Sequence, residues 1–169
     1  MHFEALRRSV WQANRGLVEA GLVALTWGNA SGADRKAGVM AIKPSGVDYD
    51  KMRPADMVVT DLDGRKVKGR WKPSVDLPHH LYMYKKRPDI GGIIHTHSNY
   101  ATSFALLGHS IPVYLTAIAD EFGAEIPCVS YVDNLGDHIG EAILRHMGKA
   151  PAILQILEPS REPTETHII

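Results

Sequence analysis

Apolar residues at Phe3, Leu6, Val10, Leu17 and Val18 recur at helical spacing, while Arg7, Arg8 and Glu19 fall elsewhere. This pattern predicts an amphipathic first helix that Gly21 ends. From Gly38 to Lys43 and from Met57 to Asp61, β-branched and apolar residues between turn signals predict strands. Leu62-Asp63-Gly64-Arg65 then reads as a tight turn into a strand at Lys66-Val67-Lys68. Pro78 starts a second helix that carries Leu81, Tyr82 and Tyr84 and closes before Pro88. Ile90 to His95 has the pattern of a buried strand, Tyr100 to Leu107 of a short helix and Ile126 to Tyr131 of a strand. Gly136 to Met147 predicts a helix with Ile139, Ile143 and Leu144 on one side, and Ala152 to Leu157 a further strand. With no internal repeat, elements in this order predict an α/β fold, a sheet with helices packed on its faces.

The pattern stops near Gln155. Residues 158–169 hold two prolines and alternating charges without an amphipathic period. One domain over residues 1–157 and a disordered tail over 158–169 are therefore expected.

At 169 residues and 44% hydrophobic content, the chain has material for one proper core. Lys+Arg and Asp+Glu both count 19, so nothing global favours nucleic acid or an anionic membrane, and any anion site must be local. Cys128 is the only cysteine, which excludes an intramolecular disulfide. No signal-like segment opens the chain, and a reducing cytoplasm is the expected compartment. The apolar runs fall well short of the about 20 residues that span a bilayer.

His95-Thr96-His97 is the sharpest local feature. Alternate residues of a strand face the same side, so the two imidazoles can share one metal ion. Alone, such a pair is more often a surface or hydrogen-bonded one. Asp76 and Asp120 are the nearby acids that can extend it, although Asp76 also stands where the second helix needs an N-cap. A second group suits an anion: Thr26-Trp27-Gly28-Asn29-Ala30-Ser31, Lys43-Pro44-Ser45-Gly46 and Lys72-Pro73-Ser74. Backbone N–H groups, hydroxyls, an amide and the Lys43 charge together fit a phosphate monoester. Singly, each stretch reads as an ordinary turn.

Leu25-Thr-Trp-Gly-Asn-Ala-Ser31, Ile42-Lys-Pro-Ser-Gly-Val-Asp-Tyr49, Ser74-x-Asp76, Gly91-Gly-Ile-Ile-His-Thr-His-Ser98 and Ala119-Asp120 occur in this order. Together they resemble the L-ribulose-5-phosphate 4-epimerase family, within the class II aldolase and adducin-head superfamily. Asp at 76 and the Ala119-Asp120 pair favour the epimerases over the fuculose-phosphate aldolases. The resemblance implies a three-layer αβα fold, with a central, mainly antiparallel sheet flanked by helices and incomplete at its C-terminal end. It also implies a cyclic homotetramer acting on a phosphorylated ketopentose in pentose catabolism. By the same resemblance His95, His97 and Asp76 lie at a zinc ion. Gly28, Asn29, Lys43, Ser45, Gly46 and Ser74 surround substrate and phosphate, and Asp120 moves a proton. The implied reaction is retro-aldol cleavage, rotation of the bound aldehyde and re-addition to its other face, the divalent metal accepting the charge.

Two departures stand out. Val75 replaces a second serine before the acid. The third zinc histidine, expected in an Asn-His-Gly motif after the strand at Ala152, and a late tyrosine are missing, Gln155 being followed by Ile156-Leu157. A frameshift or truncation is the expected origin of the tail, with poor activity as its consequence. The alternatives are an aldolase of the same superfamily, or a non-catalytic oligomerisation module like the adducin head.

Overall fold

Helix α1, Glu4–Glu19, buries Val10 and Leu17 and, on the same side, Arg7 and Asn14. Arg7 is buried although its charge sets it outside the predicted apolar stripe. Its Nε donates to the Met57 carbonyl at 3.0 Å and its Nη2 to the Ala55 carbonyl, so the guanidinium satisfies the short 3₁₀ turn at Pro54–Asp56. The alkyl stem is left free to pack. Asn14 docks the helix edge-on. Its Nδ2 donates to the Val10 carbonyl at 2.8 Å and the Ala30 carbonyl at 2.9 Å, and its Oδ1 accepts the Ala30 N–H at 2.9 Å. One carboxamide thus pairs both main-chain groups of Ala30, as a neighbouring strand would.

The strands are β1 (Asn29–Asp34), β2 (Val39–Ile42), β3 (Val58–Asp61), β4 (Lys66–Lys68) and β5 (Gly92–His95). They form one antiparallel sheet in the order β4-β3-β2-β1-β5. The predicted turn joins β3 to β4, with Asp61 Oδ1 accepting the N–H groups of Asp63 and Arg65. β1, where sequence reasoning saw only a ligand loop, is the strand between β2 and β5. It registers Ser31 opposite Ile42 on one side and Ile93 on the other. Its small residues let α1 come close, a Cβ on Gly32 lying 3.1 Å from Val10 Cγ2. Val10, Val39, Ala41, Tyr49, Met52, Met57 and Val59 make the core between helix and sheet. Helix α2, Leu77–Lys86, runs from the Ser74 loop towards β5 in sequence.

These elements belong to the first of two units, Met1–Thr96 and His97–Ile169. The computed structural model describes residues 3–148 and 151–155 and the backbone of 167–168. The second unit holds α3 (Asn99–Leu106), α4 (Thr116–Phe122), β6 (Cys128–Val129), α5 (His138–His146), β7 (Leu154–Gln155) and β8 (His167–Ile168). β7 pairs parallel with β6 and antiparallel with β8 around Ala105, Ile126 and Leu154. Helix α5 buries Ile139 and Ile143 as its periodicity predicts, together with Ala142, while Leu144 is half-buried. Most of the expected tail, residues 158–166 and 169, lies outside the described residues. Among those described, no helix is long and apolar enough to cross a membrane.

Asn14→Leu removes the side chain that pairs Ala30's main-chain groups to α1, at about 1–3 kcal/mol for each buried group left unpaired. The urea midpoint falls by a corresponding amount at unchanged slope.

Candidate functional site

Two Lys-Pro-Ser stretches, far apart in sequence, run side by side. The Ser45 N–H donates to the Lys72 carbonyl at 3.0 Å and the Ser74 N–H to the Lys43 carbonyl at 2.9 Å, with Pro44 bridging to Pro73 between them. Both prolines lack an N–H, so the pairing is carried by the flanking serines. Ser45 and Gly46 are exposed and Ser74 half-buried, which leaves this paired loop open to a ligand.

Asp76 follows directly and occupies the N-cap position of α2, yet its side chain makes no capping hydrogen bond. Its Oδ2 instead accepts the Nδ2–H of Asn29, the Nδ1–H of His95 at 2.8 Å and the Ser74 hydroxyl at 3.4 Å. Asn29 and His95 are cross-strand partners at the ends of β1 and β5. Asp76 is 6% and His95 2% exposed, so this is a buried, charge-assisted cluster rather than a surface pair.

The third anion-like stretch is tied in by Lys43 and Tyr49. Lys43 Nζ donates to the Thr26 carbonyl at 2.9 Å and lies 4.7 Å from the centre of the Tyr49 ring. The Tyr49 hydroxyl donates to the carbonyls of Trp27 and Gly28, at 3.0 and 2.8 Å. Burial lowers the Lys43 pKa to about 8 against the charges of Asp76 and Asp48, and burial with the Asp76 charge raises that of Tyr49. Lys43 therefore enters the site as a buried ammonium near Asp76, not as an exposed donor. Tyr49, which belongs to a recognised motif but received no role from sequence, shapes the Gly28 turn. Gly28 has φ +72° and is packed so closely that a Cβ would lie 2.6 Å from Val23 Cγ1 and 2.9 Å from the His95 carbonyl oxygen.

Gly28, Asn29, Lys43, Ser45, Gly46, Ser74, Asp76 and His95 all belong to the first unit. His97 is the first residue of the second and is half-buried, and Asp120 is exposed on α4. Among the described residues no group of three or more His, Cys, Asp or Glu side chains is placed to hold a metal ion. The donor chemistry nevertheless fits one: a buried imidazole whose Nδ1–H is held by a carboxylate presents Nε2 as a ligand, the usual support of a metal-bound histidine.

The α/β fold is that of a class II aldolase-like protein. Residues 8–155 match the Class II Aldolase and Adducin N-terminal domain, and the chain belongs to that family. It is similar to the L-ribulose-5-phosphate 4-epimerases UlaF of Salmonella paratyphi B and Salmonella typhi, 48% identical over 125 residues in each case. That match covers 74% of this chain and 55% of theirs, so the chain spans about half the length of these relatives. Among solved structures it is similar to an L-fuculose 1-phosphate aldolase, with TM-score 0.86 and 29% identity over 99% of this chain and 76% of that one. YgbL of Klebsiella pneumoniae shares the fold at TM-score 0.81 and 23% identity, covering 100% of this chain and 79% of its own.

Two predictions follow from the geometry. Gly46 has φ +66° with nothing within 4 Å of an added Cβ. Gly46→Ala therefore costs only the left-handed backbone, about 1–2 kcal/mol, whereas Gly28→Ala adds steric overlap and costs more, as urea unfolding will read. Separately, the unfolded chain binds more protons at Lys43 than the folded chain between pH 8 and 10.5. Stability contributed by this residue therefore rises with pH through that window. Subtracting the pH–stability curve of Lys43→Met from that of the parent leaves a positive slope there and none at pH 5–7.

Proposed function

We propose that this chain carries the metal and phosphate half of an epimerase that converts L-ribulose 5-phosphate to D-xylulose 5-phosphate. The observation that carries the reading is the buried Asp76–His95 pair beside the two joined Lys-Pro-Ser loops. The similarity to the named epimerases supports it. His95 and His97 hold a divalent cation, zinc in the native protein, with Asp76 at the metal and setting the His95 tautomer. Bound there, the cation supplies Lewis acidity for breaking and remaking the carbon–carbon bond beside the inverted carbinol.

The chain's own groups account for the remaining demands. Ser45 and Ser74 offer hydroxyls and Gly46 its main-chain N–H to the phosphate, with the Asn29 carboxamide beside them. This grip helps to keep the phosphorylated fragment bound while its carbonyl turns. Lys43 adds positive potential from beneath. Asp120 gives and takes the proton on one face of the substrate. The reading carries with it a homotetramer, a cytoplasmic location and weak metal retention when only these ligands are present.

A second reading, sugar-phosphate aldolase, is favoured by the structural likeness to the L-fuculose 1-phosphate enzyme. Product analysis separates the two. Zinc-loaded protein given L-ribulose 5-phosphate yields D-xylulose 5-phosphate in NMR spectra, and Asp120→Asn slows this by about 10²-fold or more. Accumulation of two cleavage fragments assigns the aldolase instead. Folded protein that takes up no zinc and turns over nothing leaves the oligomerisation module.

A further inference from the structure

A polar seam runs beneath α2, behind the Asp76–His95 pair. Asp76, His80 and Tyr84 are spaced i, i+4, i+8 and so lie on one face of the helix. Opposite them stand Asn29 and Ser31, alternate residues of β1 that share one face of the sheet, with His95 in register beside Asn29. Ser31 Oγ joins His80 Nδ1 at 2.7 Å and the Tyr84 hydroxyl at 2.8 Å. At the far end Arg35 donates to the carbonyls of Tyr84, Arg87 and Ile90 at 2.6, 2.9 and 2.9 Å, and its guanidinium lies 5.2 Å from the Tyr84 ring centre.

We propose that His80 is a positioning residue for the Asp76–His95 pair, acting through Ser31 to fix the rotation of α2 against the sheet. The proposal rests on the reading of that pair as the functional site.

His80 is 1% exposed, Tyr84 0% and Ser31 6%, so the seam is buried and a lost partner is costly. Burial lowers the His80 pKa to about 3, and the His80–Ser31 bond joins neutral groups at working pH. The ring is held at one end only, since Nε2 is buried without a hydrogen-bond partner among the described residues. An apolar side chain would spare that cost. What it would lose is direction: apolar contact tolerates rotation of the helix, whereas a 2.7 Å hydrogen bond one turn after Asp76 does not. Asp76 needs that restraint, because one carboxylate oxygen must meet donors from β1, β5 and the Ser74 loop at once.

The test compares the ¹⁵N-labelled full chain with His80→Phe, which keeps a planar ring, and Ser31→Ala, which breaks the same bond from the strand side. In the parent, long-range ¹H–¹⁵N spectra show His95 protonated at Nδ1. In the folded variants that signature is lost or divides between tautomers, and zinc affinity, read by competition with a chromophoric chelator, falls about 10-fold or more. Lower stability alone would leave the His95 signature in place. A folded variant that keeps both the parent signature and the parent affinity overturns the proposal. So does failure of both variants to fold, since a structural role then suffices. A parent that shows the signature but binds no zinc counts against the metal reading alone, and the signature then decides the role of His80.

Discussion

A buried carboxylate is costly unless it is met by donors, and at Asp76 one oxygen is met from three directions. Asn29 reaches it from β1, His95 from β5 and Ser74 from the preceding loop. Each partner imposes a condition on the fold. β1 and β5 must pair in the register that sets Asn29 opposite His95, and the Ser74 loop must be held by the 43–45 segment. The helix must then start where Asp76 turns away from its own first turn. Sheet register, loop pairing and helix start are thus conditions on one charge.

The surrounding electrostatics follow from the same burial. Lys43 is nearly inaccessible, and the carbonyls of Thr26 and Pro44, the face of Tyr49 and the negative charges of Asp76 and Asp48 keep its ammonium tolerable. Tyr84 answers to the opposite pressure: burial raises its pKa to about 12, while Ser31, Arg35 and the Ile93 main chain pull it down. It remains a neutral phenol. Between Asp76 at one end of the seam and the Arg35 guanidinium at the other, His80 and Tyr84 stay uncharged, which leaves the carboxylate as the charge nearest His95.

Much of this was legible in the sequence because periodic burial leaves a periodic pattern. α1, the β3–β4 hairpin, α2 and α5 announce themselves through spacing and turn residues. β1 does not. Asn-Ala-Ser-Gly-Ala-Asp lacks the branched residues that mark strands, since its small side chains serve the close approach of α1 and its polar ones face α2. The residues that made β1 look like a loop are those that make it part of the site. Arg7 and Asn14 were illegible for a related reason: a polar side chain that completes another segment's main chain has no signature in its own helix. The pairing of the two Lys-Pro-Ser stretches is likewise a tertiary fact that equal motifs hint at but cannot specify. His95 stood out through the His-x-His spacing and Asp76 as a nearby acid, their joint role coming only from the resemblance, while His80 and Tyr49 were passed over because buried hydrogen-bonding residues read as core.

The likenesses to an epimerase in sequence and to an aldolase in structure need not compete at the level of this unit. If the carbon–carbon bond beside the metal breaks in both cases, the first half of the chemistry asks for the same parts: an oriented imidazole, a metal, and a grip on phosphate. The outcomes diverge afterwards, according to whether the aldehyde fragment is retained and turned or released. On the proposed reading, an oriented imidazole serves the bond cleavage common to both and does not by itself choose between retention and release. The parts gathered in the first unit are therefore common ground for both readings, and fold likeness alone does not separate the two reactions.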